Sequence, residues 1–136
     1  MWTAASSCIG RDCRFRFFPK VRPFMDTIAA TPQPPYYAVI FTSQKMSIDN
    51  ADYSQAAQRM SELAALQPGY LGMEHVGDPT GAAMTVSYWS DLEAIRNWQQ
   101  HAEHLEAQAS GREKWYQHYF LRVCRVERDA EFKVAP

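Results

Sequence analysis

Between residues 36 and 128 the hydrophobic pattern runs strand, helix, strand, strand, helix, strand, and few small folds accept that order. Tyr36 to Gln44 is rich in aromatic and β-branched residues, as a strand requires. Tyr53, Ala56, Ala57, Met60, Leu63 and Ala64 then recur at helical spacing, with Gln55, Gln58, Arg59 and Glu62 on the other side. Asp49 or Asn50 is expected to cap this helix and Pro68-Gly69 to end it. Tyr70–Val76 and Ala82–Trp89 read as two strands joined by the turn signal Asp78-Pro79-Thr80-Gly81. Ser90-Asp91-Leu92-Glu93 reads as a capping box, the serine bonding the Glu93 amide and the glutamate reaching back. The helix it opens carries Leu92, Ile95, Trp98, Ala102, Leu105 and Ala109 along one stripe, and Ser110-Gly111 interrupts or ends it. A last strand is expected over Tyr119–Glu127.

The order predicts an α+β fold of the ferredoxin-like, split β-α-β-β-α-β kind, with both helices on one face of an antiparallel sheet. The strands carry bulky groups on both parities: Tyr37, Val39 and Phe41 against Tyr36, Ala38 and Ile40 in the first, Leu121 and Val123 against Phe120, Cys124 and Val126 in the last. A lone copy would leave a large apolar sheet face in water. A symmetric homodimer, sheet against sheet, is therefore expected.

Residues 1–35 differ in character. Arg11, Arg14, Arg16, Lys20 and Arg22 oppose only Asp12 and Asp26, and prolines at 32, 34 and 35 close the stretch. It is expected to be a flexible leader, either a targeting peptide or an extension upstream of Met25, followed by the domain at 36–128 and a tail at 129–136. A net charge of -1 gives no footing for nucleic acid or a membrane surface, and no apolar run approaches the roughly 20 residues that span a bilayer. Three cysteines, two of them in the leader, suit a reducing compartment and hence the cytoplasm. No structural-zinc spacing is present.

The chemistry-bearing residues concentrate between Tyr88 and His104. At about 100° per residue Trp98 sits near the centre of the apolar stripe, with His101 one turn along and to the side and His104 further towards solvent. Trp98 and His101 are expected to border one space, with His101 able to act as a general base because an imidazole titrates near neutrality. Core packing for Trp98 and a plain surface hydrogen bond for His101 are the alternatives. Tyr88, Trp89, Arg112, Tyr116 and Gln44 complete the candidate pocket, Arg112 as a cation for an anionic ligand and Gln44 as a polar group at the mouth. His75 and His118 look like strand-edge residues without a role.

The run Val86-Ser-Tyr-Trp-Ser-Asp-Leu-Glu-Ala-Ile-Arg-Asn-Trp-Gln-Gln-His101, with Gln67-Pro-Gly-Tyr-Leu-Gly72, Gly111-Arg-Glu-Lys-Trp-Tyr116 and Arg122-Val-Cys-Arg-Val126, resembles the antibiotic biosynthesis monooxygenase family, in a poorly characterised bacterial branch. The resemblance implies a dimeric α+β barrel with one pocket per subunit. It also implies oxidation of a small aromatic or phenolic substrate by molecular oxygen, with no metal or flavin cofactor. On that footing His101 is the expected base, Trp98 a pocket wall, and Tyr88 or Tyr116 hydrogen-bond donors. A second branch of the family binds and degrades haem through an Asn, a Trp and a His. Trp98 matches its tryptophan, but Gln108 stands where the haem ligand belongs and Gln44 where an asparagine is expected. A non-catalytic dimer that binds a small apolar molecule is the third reading.

Overall fold

The computed structural model describes residues 28–46 and 51–136. The basic stretch with Cys8 and Cys13, and the cap expected at Asp49 or Asn50, lie outside the described residues. The elements are β1 (Tyr36–Lys45), α1 (Ala51–Ala65), β2 (Tyr70–Gly77), β3 (Ala82–Trp89), α2 (Leu92–Gln99), α3 (Ala102–Ser110), a π-helical turn (Gly111–Trp115) and β4 (Tyr116–Val126). They form the expected α+β, ferredoxin-like arrangement: one sheet in the order β2-β3-β1-β4 with every pairing antiparallel.

Alternation along the strands assigns their faces. Val39 and Trp89 join Leu63, Ala64, Ala94, Ile95 and Trp98 in the buried core, so the parity of Val39 and Trp89 faces the helices. Tyr36, Ala38 and Ile40 take the opposite face, together with Met84, Val86 and Tyr88, their neighbours of like parity across the β1–β3 ladder. Residues ahead of β1 lie against that outer face. The Ala29 amide donates to Glu74 Oε1 at 2.9 Å, and the Tyr36 hydroxyl accepts from Thr31 Oγ1 at 3.1 Å while donating to Asp129 Oδ2 at 3.0 Å.

Local chemistry sets two of the turns. Asp78 Oδ1 accepts from the Thr80 amide, the Thr80 hydroxyl and the Ala82 amide at 2.9, 2.6 and 3.1 Å, which closes the β2–β3 hairpin around Gly81 at φ +90. The turn from α1 into β2 passes beneath the start of α2, where the Gly69 carbonyl accepts from the Ser90 amide at 2.8 Å. The cap of α2 differs from expectation by one residue. Asp91, not Ser90, accepts from the Ala94 amide, at 2.7 Å, and Ser90 Oγ instead donates to Asp91 Oδ2. The carboxylate wins because it accepts from amides at the positive end of the helix as a full anion. β4 also begins three residues earlier than expected, at Tyr116.

Gly69 has φ +85, and a Cβ there would stand 2.6 Å from Ala94 Cβ and 2.7 Å from Ser90 Oγ. Gly69→Ala is expected to lower the unfolding free energy by about 2 kcal/mol or more in urea titrations, since backbone strain and overlap add. Gly77→Ala, whose Cβ would meet nothing closer than 3.5 Å, should cost less than about 1 kcal/mol.

Candidate functional site: a cavity between the helices and the sheet

The helix begun at Leu92 does not continue to Ala109. It stops at Gln99, His101 turns out of helical geometry at φ -60 and ψ 132, and α3 restarts at Ala102. Past a helix end the carbonyls lack their regular partners. The Trp98 carbonyl accepts instead from the His101 amide at 3.1 Å, and side chains of α3 add to it and to its neighbour. His104 Nδ1 lies 2.9 Å from the Trp98 carbonyl, and Gln108 Nε2 donates to the Gln99 carbonyl at 3.0 Å. A carbonyl only accepts, so His104 carries its proton on Nδ1 and keeps Nε2 as a lone-pair acceptor. The imidazole also stacks on Trp98, ring centroids 4.3 Å apart and planes 10° from parallel.

The break rephases α3 relative to α2. Leu105 is half exposed and Ala109 exposed, whereas His104, Ala107 and Gln108 turn inward. With α1 and the helix-facing side of the sheet they enclose a cavity of about 640 Å³. Tyr53, Ala56, Ala57 and Met60 line it from α1, joined by Gln58 and Ser61. Val39, Phe41, Thr85, Ser87 and Trp89 line it from the central strands, and Trp115, Tyr116, Tyr119 and Leu121 close its far side. None of the described lining residues is Lys, Arg, Asp or Glu. Such a space suits a neutral, largely flat and apolar molecule with a few polar atoms.

Of the candidate residues, Trp98, Trp89 and Tyr116 are in this wall. Trp89 is fully buried and donates from Nε1 to Ser87 Oγ at 2.9 Å. The Tyr116 hydroxyl donates to that of Tyr53 at 3.4 Å, and burial pushes the Tyr116 phenol well above its usual range, so it stays protonated. The other four candidates are not in the lining. His101 sits beside Trp98, centroids 5.5 Å apart, with its Nδ1 buried and unpartnered. Tyr88 faces the outer side of the sheet, where it donates to Glu74 Oε2 and is pushed up to about 12, by burial first and by Glu74 second. Gln44 donates to the Thr80 carbonyl at 2.8 Å, fastening the hairpin turn to β1. Arg112 lies exposed on the π-helical turn. Conversely, His104 and Gln108 enter the site because the helix breaks, and His75 reaches the cavity rim from β2 with Nδ1 2.7 Å from Thr85 Oγ1.

Fold and cavity together define a small α+β domain with a cavity between helices and sheet, and comparison places it. The family model for antibiotic biosynthesis monooxygenase matches residues 49–110. The uncharacterised protein YqjZ of Bacillus subtilis is 48% identical over 109 residues, 80% of this chain and 95% of that one. Among solved structures, SnoaB, a cofactor-independent oxygenase from Streptomyces nogalater, aligns with a TM-score of 0.61 at 12% identity, over 71% of this chain and 97% of its own. Rv0793 from Mycobacterium tuberculosis aligns with a TM-score of 0.62 at 12% identity, over 71% and 99%. The chain belongs to the antibiotic biosynthesis monooxygenase family. No helix among the described residues is long and apolar enough to cross a membrane.

Burial, and then the nearby His101, hold the His104 imidazole below its ordinary value of 6.5, outweighing the bond to the Trp98 carbonyl, which acts the other way. A depressed folded value means that folding favours the neutral ring. Its contribution to stability is complete above the unfolded value of about 6.5 and is lost as pH falls through that value towards the folded one. The melting temperature of the wild type should therefore drop more steeply from about pH 7 to pH 5 than that of His104→Asn, whose amide can bond the same carbonyl without titrating. Parallel melting curves would show that His104 does not titrate with folding.

Proposed function

We propose that the protein is a cofactor-independent monooxygenase that oxidises a neutral aromatic or phenolic substrate with molecular oxygen. The observation that carries this reading is the locked His104: Nδ1–H is engaged with the Trp98 carbonyl, so an unprotonated Nε2 remains for a cavity otherwise walled by aromatic and aliphatic groups. SnoaB, which shares the fold, is itself a cofactor-independent oxygenase. His104 Nε2 takes a proton from an acidic C–H or O–H of the bound substrate. The resulting delocalised anion passes one electron to oxygen, and the radical pair combines to a hydroperoxide. Loss of water leaves one oxygen atom as a new carbonyl, so a CH2 group and O2 give C=O and H2O. Trp98 and Trp89 form the wall that holds the substrate and keeps bulk water away from the anion.

Haem suits these residues poorly. Its propionates need cationic partners and the described lining has none. Gln108, at the position of the haem ligand in that branch, has its amide on the Gln99 carbonyl.

The outer sheet face supports a homodimer. Val76 is 68%, Phe120 52% and Met84 42% exposed, which places a band of apolar side chains on one surface. A second copy of the same face would cover it by two-fold pairing. Light scattering of the full chain is expected to give twice the chain mass. Val76→Glu combined with Phe120→Glu should shift it towards one chain, and a monomer mass in the wild type would remove this proposal.

Oxygen uptake by the full chain with anthrones and hydroquinones, no cofactor added, tests the activity. His104→Asn should lower the rate about 100-fold or more, in the range that a positioned base contributes. His101→Ala should stay within about threefold, since that residue is outside the lining, and Trp98→Phe should slow the reaction while the fold persists. A fully active His104→Asn variant, or no uptake above the spontaneous rate, would sink the proposal.

A further inference from the structure

Folded domains put apolar side chains under the helices and polar ones towards water. On the hairpin of β2 and β3 that rule holds only in part. The helix-facing side presents Met73 and Trp89 but also His75, Thr85 and Ser87, and the opposite side presents Glu74 and Tyr88 but also Val76, Met84 and Val86. His75 and Thr85 are directly opposed across the ladder, with Ser87 two residues on along β3. The plain account covers one of the three: Ser87 Oγ accepts the indole N–H of buried Trp89. His75, itself exposed, and the half-buried Thr85 bond each other at the cavity rim.

We infer that His75 with Thr85 is a second polar anchor, which orients ligands carrying oxygen at two opposite edges, one edge at His104 under α3 and the other at the β2 rim. The chemistry of the pair favours this in either tautomer. If Thr85 donates to Nδ1, the ring keeps an Nε2–H donor. If Nδ1–H donates to Thr85, the hydroxyl proton is free to donate and Nε2 to accept. The pair can thus serve a hydroxyl or a carbonyl oxygen. The aromatic and aliphatic remainder of the lining, with Val39, Met60 and Trp98, suits the hydrocarbon body of such a ligand. Because no described lining residue is charged, both edges must be neutral when the ligand enters. The inference rests on the proposed oxygenase only in giving the ionising edge to His104.

Calorimetric titration of the full chain with naphthalene-2,6-diol and with 2-naphthol separates the two edges. The wild type should bind the diol about tenfold more tightly than the mono-ol, as one added hydrogen bond in a partly desolvated site allows. His75→Leu should remove that preference while leaving the mono-ol within about twofold, and Thr85→Val, in case the first variant folds poorly, should reduce it. A purely structural role would change both ligands alike. Equal binding of the two by the wild type, a preference that survives both substitutions, or no binding of either at millimolar concentration would overturn the inference. A preference without oxygen uptake would remove the oxygenase reading and leave the anchor standing, and uptake without a preference would do the reverse.

Discussion

The site depends on two carbonyl groups. Where the helix from Leu92 gives out, the carbonyls of Trp98 and Gln99 lose their regular helical partners. Although the His101 amide at 3.1 Å covers the Trp98 carbonyl in part, an under-satisfied buried acceptor costs up to about 1–3 kcal/mol. His104 and Gln108 meet that need from the next helix. The bond from His104 does three things at once. It tolerates the break, it turns α3 so that His104, Ala107 and Gln108 face inward, and it sets which nitrogen of His104 holds the proton. The stacking of the imidazole on Trp98 then fixes the plane in which the free lone pair lies. The structural role and the proposed chemical role fall on the same residue, and an amide replacement is therefore more informative there than an alanine.

The sheet also does double duty. Its helix-covered face is polar where the cavity needs polar atoms and apolar where the core needs contact, while its outer face keeps Val76, Met84 and Phe120 in reach of water. A single hairpin thus borders the cavity on one side and presents an apolar band on the other. The requirements are separated by nothing more than the alternation of successive side chains.

Much of the fold is legible in the sequence because its signals are local. The Asp78-Pro79-Thr80-Gly81 turn, the Pro68-Gly69 stop and the aromatic strands each declare themselves within a few residues. The error at Ser90 is small, since two neighbouring oxygen-bearing side chains compete for the same amides. The site is less legible, and for two different reasons. Placing both Tyr88 and Trp89 in the pocket conflicts with strand alternation, so the sequence itself excludes Tyr88 once Trp89 is put inside. The exchange of His101 for His104 is of another kind. Nothing at Gln100-His101 resembles a Pro or Gly stop, and the break is stabilised by bonds from residues six and nine positions beyond the carbonyls they serve. A continuous helical wheel, applied through that point, necessarily carries Leu105 inward and His104 out.

The phenol of Tyr36 joins Thr31, ahead of the first strand, to Asp129, after the last. The two flanks of the domain are therefore tied through one oxygen atom, much as a clasp closes a bracelet. Once closed, each flank restricts the other, because part of the entropy of holding it in place has already been lost by its partner. A protease that trims the tail at Asp129 would loosen the segment around Thr31, which is a whole domain away along the chain and one hydroxyl away in space.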